Sequence, residues 1–69
     1  MAATTVTVNS YLVRITADRL NVRASANETA TIVTQVKKGG VFTIVEEKGG
    51  WGRLKSGAGW INLSYTEKV

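Results

Sequence analysis

The chain has 69 residues, with nine Lys and Arg against five Asp and Glu, and a formal net charge of +4. It contains no cysteine, histidine or proline. A chain this short forms one domain that buries about 60% of its unfolded surface, and here no disulfide can support it.

The composition also limits the chemistry. Without Cys or His, the five carboxylates are the remaining candidates for acid–base catalysis near neutral pH. Glu46 and Glu47 are adjacent, and in a strand they would point to opposite faces. No catalytic residue, metal site or cofactor is therefore expected. The basic residues are dispersed, and only Lys37 and Lys38 adjoin, which favours a solubilising surface over a site for anionic polymers.

The N-terminal residues are small and polar, and segment 1–9 is predicted to be a linker or flexible segment preceding a domain at 10–69. No apolar run approaches the ~20 residues of a membrane span, and no secretion signal is recognisable. Any export signal is expected elsewhere in a longer parent protein.

Segment 11–16 is rich in β-branched residues and alternates in polarity, which predicts a strand with Val13 and Ile15 facing inward. A turn is predicted at 17–19, before a second strand.

That second strand has the sequence LNVR, with Leu20 and Val22 on one face and Asn21 and Arg23 on the other. The polar pair is expected to be exposed. It could bind peptide carboxylates or sugar amides, with the guanidinium as a bidentate donor. A plain solvated surface is the alternative.

The middle of the chain is predicted to contain, in order, a polar loop (24–31), a strand (32–36), a glycine turn (37–40) and a strand (41–45). Phe42 and Ile44 would share the core face of the last strand.

The next segment, 51–63, reads as a hairpin with a glycine-containing turn and a tryptophan at the start of each arm. Trp51 follows a charged loop and is either a wall of a binding groove or a half-buried wall of the barrel. Trp60, between Gly59 and Ile61, is predicted to pack in the core. A tail or last strand follows. Short strands without helices predict an all-β fold, a small antiparallel barrel or sandwich.

Four motifs occur in a familiar order: LNVR (20–23), VKKG (36–39), GW (50–51) and GWINLSY (59–65). Together they resemble the bacterial SH3 (SH3b) domain family, in particular the modules attached to cell-wall amidases and endolysins of Gram-positive bacteria and their phages. The resemblance implies an SH3-like barrel of five to seven short antiparallel strands. It also implies no catalytic activity and a role in holding a neighbouring hydrolase on peptidoglycan.

The resemblance also bears on single residues. In related SH3 domains the end of the last motif supplies a groove tyrosine, which makes Tyr65 a candidate, with simple packing as the alternative. The expected ligand-binding set is therefore Trp51, Tyr65, Asn21, Arg23 and the weaker candidate Asn62. Gly52 departs from the family pattern, which often has Tyr there, and is expected to leave a more open surface beside Trp51.

The function predicted from these motifs is a non-catalytic wall-binding module that targets an attached hydrolase such as N-acetylmuramoyl-L-alanine amidase. Its expected partners are peptidoglycan or an associated wall polymer and the parent's catalytic domain, with neither nucleic acid nor membrane. We expect a monomer, located in the wall or outside the cell. The alternative is a small barrel that binds nucleic acid or unrelated peptides. A nucleic-acid platform would need several exposed aromatics interleaved with Lys and Arg, and the chain has only five aromatic residues.

Overall fold

The computed structural model describes residues 5–69, which form seven strands and one short 3-10 helix. The strands are β1 (Val6–Ile15), β2 (Arg19–Arg23), β3 (Ile32–Lys37), β4 (Val41–Lys48), β5 (Trp51–Leu54), β6 (Trp60–Asn62) and β7 (Thr66–Lys68). The 3-10 helix, Leu63–Tyr65, lies between β6 and β7. Over this range no helix is long and apolar enough to cross a membrane. The predicted all-β fold is confirmed.

All strand pairs are antiparallel, and the sheet order is β3-β2-β6-β5-β4-β1-β7. Strands β1 and β2 are far apart in this order, yet Ile15 of β1 and Val22 of β2 belong to the same buried cluster. The sheet must therefore curl until its inner face closes on itself, which gives the small SH3-like barrel.

The core consists of seven buried apolar side chains from five strands: Val13, Ile15, Leu20, Val22, Ile44, Leu54 and Ile61. Burial of each such side chain is worth about 1.5–3 kcal/mol. The inward faces predicted for the first, second and fourth strands are thus confirmed, with Phe42 half-buried against the cluster beside Ile44. One layer of apolar side chains holds the barrel together.

Strand β1 begins at Val6, inside the segment 1–9 predicted to be a linker. Val6 and Thr7 pair with Glu47 and Glu46 of β4, and an irregularity in the pairing follows before Tyr11. Residues 1–4 of that segment lie outside the described residues. The division between linker and domain at residue 9 stays a prediction.

The prediction that Trp60 packs in the core is wrong. In β6 the inward position belongs to Ile61, which is fully buried, while Trp60 is half-buried and outside the core cluster. Side chains alternate along a strand, so Trp60 must face outward. The neighbouring Gly59 has a different role. Its φ is +148°, and an added Cβ would clash with the backbone carbonyl of Arg23.

Candidate functional site

An open groove of about 430 Å³ lies on the outer side of the barrel, beside β2, the start of β5, the end of β6 and the 3-10 helix. Its lining includes all five residues of the predicted ligand-binding set: Asn21, Arg23, Trp51, Asn62 and Tyr65. Ala17, Arg19, Leu20 and Glu28 complete it. The structure thus brings the five candidates together, and their binding role stays a prediction.

Strand alternation and register explain why these side chains meet. Asn21 and Arg23 occupy the positions of β2 that alternate with its buried residues. Trp51 of β5 lies directly opposite Asn62 of β6 in the antiparallel register. Because opposite residues in such a pair share a face, the Trp51 ring and the Asn62 amide project to the same side of the sheet.

Tyr65 is 51% exposed and enters the groove lining from the 3-10 helix. Several hydrogen bonds hold this helix in place, and two of them involve groove residues. The Asn62 side-chain oxygen accepts from the Ser64 backbone N–H at 2.9 Å, and the Tyr65 carbonyl accepts from the Thr16 N–H at 2.9 Å. Asn62 therefore both lines the groove and caps the element that carries the tyrosine.

Two of the three polar side chains of β2, Asn21 and Arg23, are also held by hydrogen bonds. Arg23 Nη1 donates to the carbonyl oxygen of Ala30 at 2.8 Å, which ties the 24–31 loop to β2. Asn21 Oδ1 accepts from Gln35 Nε2 of β3 at 2.8 Å. A guanidinium has five N–H donors, so this single bond leaves Arg23 able to bind a ligand from a fixed position.

The groove carries a small positive charge, because its lining has two cations, Arg19 and Arg23, and one anion, Glu28. Among residues 5–69 the two ion pairs are Arg14–Glu67 at 3.3 Å and Arg53–Glu46 at 2.6 Å, and neither involves a lining residue. The guanidinium groups of the lining are therefore not neutralised by a carboxylate in direct contact. They suit a ligand that offers carboxylate or amide oxygens.

Sequence reasoning missed two charged lining residues. The sequence pattern predicts a turn at 17–19, but β2 begins at Arg19. Arg19, Asn21 and Arg23 follow the two-residue period of one strand face. Extending the alternation by one step would have found it. Glu28 comes from the 24–31 loop, where no periodic pattern indicates which side chain faces the groove.

The expectation that Gly52 opens the surface beside Trp51 is wrong. Gly52 is buried, and a Cβ added there would lie 2.8 Å from Cδ2 of Leu63 and 3.0 Å from Cδ1 of Ile44. The position faces the core, so larger core side chains already fill the space that a Gly52 side chain would take. The groove surface beside Trp51 is unaffected.

A smaller cavity of about 230 Å³ lies elsewhere, lined in part by Tyr11, Glu47 and Lys68. The Tyr11 hydroxyl donates to the Glu47 carboxylate. Burial of the phenol, this hydrogen bond and the nearby negative charge together raise the pKa of Tyr11 to about 12. The Lys68 ammonium lies 4.6 Å from the centroid of the Tyr11 ring.

The two adjacent glutamates make separate contacts, because Glu47 accepts from Tyr11 whereas Glu46 pairs with Arg53. In the described range no cluster of acidic side chains is arranged to hold a metal ion.

A family model described as bacterial SH3 domain matches residues 18–67, so the chain belongs to the bacterial SH3 domain family. Over 48 residues it is 40% identical to a Bacillus subtilis (strain 168) protein named "Putative N-acetylmuramoyl-L-alanine amidase YrvJ". That match covers 67% of this chain and 9% of the B. subtilis protein. No solved structure gives a significant match to the chain.

Proposed function

We propose that this domain is a non-catalytic cell-wall-binding module, which holds an attached peptidoglycan hydrolase on the wall of a Gram-positive bacterium. The observation that carries the proposal is the groove, where Trp51 and Tyr65 lie among amide and guanidinium groups. The domain family and the amidase name of the B. subtilis relative support it. The match covers only a small part of that relative, which suits one module of a larger enzyme. The parent enzyme would be a bacterial amidase or a phage endolysin that acts on the wall, outside the cell membrane.

Each groove residue is expected to make a different kind of contact with the ligand. The half-buried Trp51 offers a flat apolar face with an indole N–H at its edge, and Tyr65 offers a second ring with a hydroxyl. Arg23 donates to carboxylate or carbonyl oxygens of the wall, and the amides of Asn21 and Asn62 add directional hydrogen bonds. Stacked aromatic residues carry much of the energy at such sites, so Trp51 is expected to dominate.

We assign bond cleavage to another domain of the parent protein. Glu28 is the single carboxylate of the groove lining, and it sits on a loop. Glycoside hydrolysis ordinarily uses a pair of carboxylates at a defined separation, and histidine is absent from the sequence. The domain contributes affinity for the wall, which raises the local concentration of the attached enzyme at its substrate.

Co-sedimentation with purified walls tests the proposal. The parent domain should bind, and Trp51→Ala should stay folded and bind roughly tenfold more weakly or worse. Leu12→Ala is the matched control, because Leu12 is 46% exposed on β1 and does not line the groove. It should bind like the parent. A folded Trp51→Ala domain with parental binding would remove the groove from the proposal.

Walls stripped of teichoic acids and a series of salt concentrations separate the ligand classes. Stacking and hydrogen bonds are weakly screened, so binding should survive both treatments with only a modest loss. A loss of several orders of magnitude between low and moderate salt would point to an anionic polymer or a nucleic acid instead.

A further inference from the structure

The outer face of β5 and β6 carries a second tryptophan beside the groove. Trp60 lies directly opposite Arg53 of β5 and directly opposite Arg23 of β2. Trp51 lies opposite Asn62, two positions along β6. The two tryptophans are therefore diagonal neighbours on one face, with Cα atoms about 7–8 Å apart in such a pair. Trp60 thus adjoins two groove residues, Trp51 and Arg23.

Neither tryptophan is used to build the core. The partly buried apolar residues that pack against the core cluster are Tyr11, Val36, Phe42 and Leu63. Trp51 and Trp60 are half-buried and belong to neither group. In a domain with so little core, placing its two largest apolar side chains on one outer face requires another reason.

We propose that Trp60 is a second stacking platform, continuous with the groove, and that the ligand is a polysaccharide strand at least two sugar rings long. This inference rests on the proposed wall-binding function and names the wall component that is recognised. One sugar packs on Trp51 within the groove, and a nearby sugar of the same strand packs on Trp60.

The hydrogen bonding of the sheet favours a polysaccharide over a peptide. β5 pairs with both β4 and β6, and β6 pairs with both β5 and β2, so backbone groups on both sides of these strands face neighbouring strands. A peptide can add to a sheet through backbone hydrogen bonds only at an edge, and the edge strands here are β3 and β7. A peptide lying across β5 and β6 would leave its own amides without strand partners.

A sugar ring matches this face better. Its C–H groups form an apolar surface that packs on an indole ring, and its hydroxyl and acetamido groups project around the rim. Arg23 lies on one side of Trp60 and has no carboxylate in direct contact among the described residues. Arg53 lies on the other side and is paired with Glu46. The rim therefore presents both donors and an acceptor to a neutral or weakly acidic strand.

The test uses three probes: intact purified walls, peptide-free glycan strands prepared from them, and soluble stem peptides with their cross-bridges. The parent domain should bind walls and peptide-free strands, and should bind a longer glycan fragment more tightly than a disaccharide. Trp60→Ala should reduce binding to strands roughly tenfold and abolish the preference for length. Leu12→Ala should change neither.

A spectroscopic measurement on the parent domain reports on Trp60 without changing any groove residue. The chain has two tryptophans and therefore two indole N–H signals in a ¹⁵N spectrum, and Trp60→Phe identifies which of them belongs to position 60. Peptide-free strands should shift the Trp60 signal as they bind, and stem peptides should not. Binding of strands that leaves the Trp60 signal unchanged would overturn the role of Trp60.

The outcomes separate the two proposals. If the parent binds walls and stem peptides but not peptide-free strands, the polysaccharide inference fails and wall binding stands. If the parent does not bind intact walls, the proposed function itself fails.

Discussion

Two glycines in the turn between β5 and β6 provide a matched test of how closely β6 approaches β2. Gly57 has φ +80°, and an added Cβ would meet nothing within 4 Å. Gly59 has φ +148°, and an added Cβ would lie 3.0 Å from Cγ1 of Val22, 3.2 Å from the carbonyl carbon of Arg23, and closer still to its oxygen. Both positions strain an alanine, but only Gly59→Ala also pushes against the backbone of β2.

The magnitudes follow from these environments. Gly57→Ala should destabilise the fold by about 1–2 kcal/mol through its left-handed backbone alone. For Gly59→Ala, backbone strain of about 1–3 kcal/mol adds to about 1–3 kcal/mol of overpacking, and the obstacle is a backbone carbonyl that cannot rotate away. The backbone pairing between β2 and β6 consists of the single pair Arg23 and Trp60, so a displacement there also disturbs the groove.

Thermal and urea unfolding of both variants measures the difference. In a domain of this size, 1 kcal/mol corresponds to about 4–8 °C in Tm. Gly59→Ala should therefore melt roughly 10 °C or more below Gly57→Ala, and it should lose wall binding where Gly57→Ala keeps it. Equal unfolding midpoints for the two variants would refute the close approach of β6 to β2.

Two further outcomes follow from the core and from the smaller cavity. Ile61→Ala removes a fully buried side chain and should destabilise the domain by about 2–5 kcal/mol, whereas Trp60→Ala should leave the domain folded. If denaturant unfolding shows that Trp60→Ala is the more destabilising of the two, Trp60 belongs to the core after all. Tyr11 has a folded-state pKa of about 12 against an ordinary value of 10.0, so between these values the folded protein keeps a proton that the unfolded chain has lost. The stabilisation linked to this shift should be complete below pH 10 and disappear as the pH rises to about 12. The stability difference between the parent and Tyr11→Phe should therefore shrink over that range, and a constant difference would contradict the raised pKa that burial and the contact with Glu47 give to Tyr11.

Local alternation predicted much of the fold. The inward positions of β1, β2 and β4, including Val13, Val22 and Ile44, follow from a two-residue period of polar and apolar side chains. This pattern needs only neighbouring residues, so it can be read without knowing which strands pair. The family motifs, which also name the groove tyrosine, added the barrel that joins these strands.

The tryptophan hairpin shows where local alternation no longer predicts which side chain faces the core. Along Trp60, Ile61 and Asn62, either of the first two residues could face inward on hydrophobicity alone. The glycine before Trp60 favoured tight packing of the ring. The structure shows instead that Gly59 makes room for the backbone of β2 and that Ile61 fills the core. Gly52 is a similar case, because its burial against Leu63 follows from packing between strands and not from the local sequence pattern.

Residue order along the chain is enough to predict most of the strands, most of their inward faces, the family, and the residue types that a ligand could contact. Which of these residues lie together depends on how the distant strands pair in the folded domain. Asn21, Trp51 and Tyr65 share one groove because β2 pairs with β6, β6 pairs with β5, and the 3-10 helix follows directly from β6. That pairing depends on the register between distant strands and on the curl of the sheet around a shared core. Both are set by contacts between residues far apart in the chain, which no local period encodes.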